Sequence, residues 1–224
     1  MRTMWLVVLV VVAGCGRAGD GPDFAERLGG FERQAGFIDL YHDTGGGRLY
    51  LRVTELDTPF LYQSSMARGV GSNDLGLDRG QLGDAHVVRF ERHGDKVLLI
   101  ADNLGYRALS DDADERDAVR ASFARSVLWG FEIAGQVQGD LFIDATDFLV
   151  RDAHGIARRL DAAGEGSYRV DAARSAIYAP RTRAFPDNSE IEAIVTYAGE
   201  PTGDILRTVA PDPASVTVHL HPLR

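Results

Sequence analysis

The sequence predicts an α+β, strand-rich domain: an antiparallel sheet or sandwich with one main helix packed on it. Three observations carry this prediction. Short apolar stretches that alternate with polar residues, bounded by Gly, Pro, Asp and Asn, fill the first part of the chain and return near its end. A single long helical pattern, Asp112 to Leu128, stands in the middle. The order is strands, helix, strands, which is not the regular alternation of a parallel α/β sheet.

The elements follow in turn. Phe37 to Tyr41 and Arg48 to Val53 flank Asp43-Thr44-Gly45-Gly46-Gly47, a hairpin turn. In the second strand Leu49, Leu51 and Val53 alternate with Tyr50, Arg52 and Thr54, giving one apolar face. Phe60 to Met66 is the next strand, followed by a glycine-rich loop from Gly69 to Gly80. His86 to Glu91 and Lys96 to Ala101 form the clearest hairpin, joined by Arg92-His93-Gly94-Asp95. Asp112 to Leu128 is expected to be the main helix. Asp112 and Glu115 have the spacing of a capping box, the acids Asp111, Asp114 and Asp117 favour its positive end, and Val119, Phe123 and Val127 are expected to form a buried stripe. Trp129 to Ile133 and Leu141 to Asp144 are strands. Asp147 to Ala163 is helical in part, with an interruption near Gly155. Tyr168 to Val170, Glu190 to Tyr197 and Val216 to Leu220 complete the strands, and prolines punctuate the loops between them.

Ahead of the domain, Arg2, the apolar run Met4 to Ala13 and the small residues before Cys15 have the layout of a secretory signal peptide. The run is about half the length of a spanning helix. With its cysteine directly after the small pair, the segment resembles a bacterial lipoprotein signal. That resemblance implies cleavage before Cys15 and a lipid on its sulfur, which would place the protein in the cell envelope, anchored to a membrane and facing the periplasm or the cell surface. An ordinary signal peptide with an incidental cysteine is the alternative. The chain has no other cysteine, so no internal disulfide is possible. The expected organisation is a signal over residues 1–14, a tether over 15–23 and one β-rich domain over 24–224. A net charge of −9 and the lack of a basic run argue against nucleic acid as a partner.

A search for chemistry finds little. There is no His-Glu-x-x-His stretch, no Gly-x-Ser-x-Gly elbow and no phosphate loop ending in Gly-Lys-Ser/Thr. Asn73, Asp74, Asp78 and Asp84 offer oxygen ligands of the kind calcium takes, but their spacing is not that of an EF-hand, and turns are rich in Asp and Asn anyway. His219 and His221 point the same way on a predicted strand, with no third metal ligand evident; exposed strand histidines are the simpler account. His42, His86, His93 and His154 are expected at the surface. Asp144 and Asp147 are the best carboxylate pair by proximity, and the simpler reading has the strand ending at Asp144 and Asp147 capping the next helix. Arg181 and Arg183 lie on one face of a short extended segment and suit an acidic partner. Trp129 is expected in the core. No catalytic residue, cofactor site or metal site is therefore assigned.

Several stretches together resemble a known family: Gly36-Phe37-Ile38-Asp39-Leu40-Tyr41 with Arg48-Leu49-Tyr50-Leu51; Gly71 to Gly80; Val87 to Arg92; Leu128-Trp129-Gly130-Phe131; Asp144-Ala145-Thr146-Asp147-Phe148; and Ser175 to Thr182. They are similar to the uncharacterised N-terminal domain of large bacterial zinc-dependent metalloproteases. In that family the zinc ligands and catalytic glutamate lie in a separate downstream domain. The resemblance therefore implies a non-catalytic accessory domain that packs against or positions a protease domain or its polypeptide substrate, as a truncated, split or free-standing form. A stand-alone envelope lipoprotein that binds a ligand or protein is the alternative. The anchor is directly testable. Cys15→Ser should leave the protein unlipidated, so that it moves from the detergent phase to the aqueous phase in a detergent-partition assay. Unchanged partitioning would remove the lipoprotein reading.

Overall fold

The computed structural model describes residues 22–223, so Cys15 and the signal segment lie outside the described residues. A short helix, α1 (Pro22–Leu28), precedes the strands β1 (Glu32–Gln34), β2 (Asp39–Asp43), β3 (Arg48–Val53), β4 (Phe60–Arg68), β5 (Leu82–His93) and β6 (Lys96–Ala101). Helix α2 (Ala113–Ser122) leads to β7 (Ser126–Val137) and β8 (Asp140–Asp144). Two more short helices follow, α3 (Thr146–Leu149) and α4 (Ile156–Ala162). The chain ends with β9 (Gly166–Val170), β10 (Ala176–Ile177), β11 (Arg183–Ala184), β12 (Ser189–Pro201), α5 (Ile205–Val209) and β13 (Ser215–Leu223).

Among the described residues all thirteen strands join one antiparallel sheet, in the order β1-β2-β3-β8-β7-β6-β5-β4-β13-β12-β10, with β9 and β11 also on β12. The predicted hairpins β2–β3 and β5–β6 are present in register, with Leu40 opposite Leu51 and Phe90 opposite Leu99.

The sheet curls until it is nearly a closed barrel. Its two ends meet where the start of β2 reaches the β11–β12 turn. The Phe37 amide donates to the Phe185 carbonyl at 2.7 Å. The Ser189 hydroxyl accepts from the Ile38 amide and donates to the Ile38 carbonyl, both at 3.1 Å. Such close approach requires Gly36, because a Cβ there would sit 2.7 Å from the Phe185 carbonyl oxygen and from the Ala184 Cβ. Closure turns one face of the sheet into an interior, which Leu40, Leu49, Leu51, Val97, Leu99, Phe131, Ile143 and Phe148 fill. Each fully buried side chain of this size contributes roughly 1.5–3 kcal/mol. Outside β2, β3 and β8, Phe24 of α1 packs on Tyr41, Tyr50 and Phe142. A second cluster lies where α4 and α5 cover β12 and β13, around Leu160, Leu206, Val195, Tyr197 and Val218.

The expected architecture, a sheet or sandwich with one packed helix, is therefore corrected. The sheet packs on itself, and α2 has no buried residue. The helix does begin as predicted, with Asp112 accepting from the Asp114 amide at 2.9 Å, but it stops at Ser122. Phe123 is already extended, and Val127 belongs to β7 and is exposed. The reason lies in the neighbouring strands. From Ser126 to Glu132 the backbone pairs with β6, and from Ile133 to Val137 with β8. These ladders satisfy the peptide groups and override a helical spacing of only three apolar residues. Residues 156–162 are helical as expected, beginning after Gly155.

Closure should be measurable. Ser189→Ala leaves the Ile38 amide and carbonyl unpartnered in a buried site and should cost about 1–3 kcal/mol, seen as a lower urea midpoint with an unchanged denaturant slope.

Candidate functional site

The paired histidines are not exposed, contrary to the simpler expectation. Two irregularities of the sheet re-aim side chains here. The register of β12 on β13 shifts between Ile191 and Ala193, and that of β13 on β4 shifts between His219 and Leu220. The first shift falls at Glu192, which is only 1 % exposed, and His219 is 8 % exposed. His219 Nδ1 lies 2.5 Å from Glu192 Oε1, and His221 Nε2 lies 3.0 Å from Glu192 Oε2. The Tyr178 ring stands edge-on to His219, with centroids 5.0 Å apart, and the Tyr178 amide donates to the Glu192 carbonyl at 2.7 Å. Thr182 Oγ1 accepts from the Glu192 amide and donates to the Tyr178 carbonyl.

Burial pushes the Glu192 carboxyl up, and the hydrogen bonds from His219 and His221 overcome it, holding the group below its ordinary value. The two imidazoles meet different oxygens of one carboxylate, so the three side chains bind one another and do not converge on a common point. Among the described residues, no group of three or more His, Cys, Asp or Glu side chains is placed to hold a metal.

The other singled-out residues part company. Asp147 lies inside α3 and does not cap it; the N-cap position is Ala145, without a side-chain cap. Asp144, at the end of β8, accepts from the Thr146 amide through Oδ1 at 3.0 Å and pairs with Arg48 through Oδ2 at 2.6 Å. Asp147 is exposed, so the two carboxylates do not share a cleft. Asn73 and Asp74 form a turn. With its amide oriented to match its neighbours, Asn73 donates to Asp78 at 2.7 Å, whereas Asp84 stands exposed on β5. Arg181 ends a helical turn, and Arg183 donates to the Thr182 carbonyl at 2.7 Å. Trp129, expected in the core, is half-buried and packs against its edge at Phe148. His93 is exposed and lies 3.2 Å from Glu91. His154 is buried, not superficial. Among the described residues neither of its ring nitrogens has a hydrogen-bond partner, and burial, with Arg159 nearby, lowers its pKa.

Two surfaces stand out instead. The first is at the seam. The pairing of β13 on β4 ends at His221 opposite Ser65. Residues 60–64 of β4 therefore have β5 on one side and, among the described residues, no strand on the other. A cleft of about 240 Å³ runs there between Phe60, Leu61 and Gln63 and the facing Asn188 and Ser189, with Phe37 beside it. Leu61 is 60 % exposed, and Phe37 and Phe185 are also exposed. The second is a cleft of about 310 Å³ beneath α2.

A family model described as a domain of unknown function, DUF5117, matches residues 80–222, well over half of the chain. The chain belongs to the DUF5117 family. No curated protein and no solved structure matches it. The DUF5117 region holds Glu192, His219, His221 and the whole of α2. The strands β1–β3 and β4 precede it, although they are hydrogen-bonded into the same sheet.

Sequence reading missed Glu192. A lone carboxylate inside the apolar run Ile191 to Val195 was the available signal. Its effect on stability has a definite sign. A carboxyl whose folded pKa is depressed adds stability above its unfolded value of about 4.3 and loses it as pH falls through the lower folded value. Glu192→Gln should therefore flatten the acid limb of a stability–pH curve below about pH 4.3. Parallel acid limbs in wild type and variant would contradict the assignment.

Proposed function

We propose that this DUF5117 protein is a non-catalytic accessory domain, anchored through lipid on Cys15, that docks a zinc-dependent metalloprotease domain along the open edge of β4. The observation that carries the reading is the segment 60–64, which among the described residues has a strand partner on one side only, with the exposed Phe37 and Leu61 beside it. An open strand edge offers backbone donors and acceptors to an added strand, and side chains at alternate positions supply selectivity. Proteins usually protect such edges with charge, proline or a covering loop. Here the edge is bordered by exposed apolar side chains, which suits a polypeptide partner. The resemblance of the chain to metalloprotease N-terminal domains supports the choice of partner, and the net charge of −9 supports a protein over a nucleic acid.

The test is a titration of the purified chain with a separately expressed protease domain of that family, read by calorimetry. Micromolar or tighter association is expected, and Leu61→Arg should weaken it at least about tenfold, roughly 1.4 kcal/mol. Hydrogen exchange of β4 amides should slow in the complex. If the two proteins fail to associate at micromolar concentration, the docking reading is lost and the stand-alone envelope module takes its place.

A further inference from the structure

The chain leaves β6 at Ala101 and re-enters the sheet at Ser126. The excursion between them carries α2 and sorts its charges. The acids Asp111, Asp112, Asp114, Glu115 and Asp117 gather around the start of the helix. The arginines Arg107, Arg116, Arg120 and Arg125 line the cleft on its other side. Asp102 is the one carboxylate among the cleft's lining residues, and Arg89 already engages it. Arg125 is held by Glu91 at 2.9 Å, and Glu91 also binds Arg89 at 2.5 Å, so this network roots the excursion in the sheet.

The remaining guanidinium groups keep donors free. Arg107 has no hydrogen bond or ion pair among the described residues. Arg116 donates to the Ser110 carbonyl at 2.8 Å, and Arg120 pairs with Asp117 on the open surface and donates to the Arg116 carbonyl at 3.5 Å. Between them lies an apolar platform. The rings of Tyr106 and Phe123 stack with centroids 3.8 Å apart and planes 4° from parallel, beside the exposed Leu104. Tyr106 is 55 % exposed. A concave site that combines planar guanidinium forks with an aromatic surface recognises carboxylates and apolar groups together.

We propose that this cleft binds a short acidic segment of a polypeptide, with side-chain carboxylates on Arg107, Arg116 and Arg120 and an aromatic or aliphatic side chain on the Tyr106–Phe123 platform. Charge complementarity selects the occupant. The cleft is a cationic pocket on an acidic protein, so it attracts a local anion. The five acids around the helix start and the net charge of −9 repel a long polyanion such as a nucleic acid. Its size suits a few side chains. The site is distinct from the β4 edge, so its failure leaves the docking reading intact, and the reverse holds too.

The probe is a fluorescein-labelled hexapeptide of alternating glutamate and phenylalanine, followed by fluorescence anisotropy against the full chain at low and at physiological salt. Saturable binding that weakens with salt is expected. The same peptide with glutamine for glutamate should bind at least about tenfold more weakly. The double variant Arg107→Glu/Arg120→Glu changes only exposed groups, breaks the one surface pair with Asp117, and should reduce affinity for the acidic peptide by at least about tenfold with only a slightly lower unfolding midpoint. Tyr106→Ala should weaken the phenylalanine-containing peptide more than a glutamate–glycine one. Equal binding of the glutamine peptide, or no loss in the double variant, overturns the proposal. Tighter binding of a single-stranded oligonucleotide, lost in the same variant, would also overturn it and assign the cleft to nucleic acid.

Discussion

Ser189 joins the two ends of the sheet, and much of the molecule depends on that junction. An antiparallel sheet of this length has two edges and one face that needs cover. Bringing the start of β2 against the β11–β12 turn reduces the edge problem and creates an enclosed interior in one move. The aliphatic side chains of β3, β6 and β8 then pack against one another instead of needing a layer of helices. This is why α2 is free to stand outside, and why α1 and α3–α5 are short plugs and not a second layer. Among the described residues β13 pairs with β4 only from Arg68 to Ser65, and the docking proposal rests on the remaining part of that strand.

Buried and half-buried carboxylates fix the rest of the frame. Asp152 accepts the Ile156 and Ala157 amides at the head of α4 and the Tyr197 hydroxyl at 2.8 Å, tying a helix to β12. Glu165 accepts the Leu206 amide at 2.9 Å and so orients α5. Glu192 joins two histidines of β13. Glu165 and Glu192 are acids taken out of water, and each is compensated by several donors, as burial of charge demands. These are the places where a substitution would be felt far from its own position, because each carboxylate serves two elements at once.

The hairpins were legible in the sequence because Leu49, Leu51 and Val53 alternate strictly and the turns carry glycine or aspartate. The broken helical stretch was legible through Gly155. The main helix was overextended because Val119, Phe123 and Val127 are four apart, a spacing that helices share with alternate strand positions. Val127, Trp129, Phe131 and Ile133, two apart, were the better guide to β7. Neither closure nor the Glu192 cluster was legible. Both depend on residues distant in the chain meeting, the Glu192 cluster at bulges as well, and no local pattern encodes either. His154 looked superficial because it adjoins a turn, yet the fold buries it. The two candidate surfaces escaped for a related reason: one is a strand edge with no second partner among the described residues, and the other is a sorting of charge visible only when an excursion is folded.

The Ser189–Ile38 bond spans 151 residues. A contact so distant carries a large loop-closure cost that must be met before it returns any stabilisation, and such contacts slow folding. The local hairpins β2–β3 and β5–β6 should form early and the seam late. Until then the strands that flank it present open, apolar edges to every neighbouring chain. The interval between synthesis and closure is therefore the period of greatest exposure to aggregation and proteolysis, and the rate of one late contact governs how long that exposure lasts.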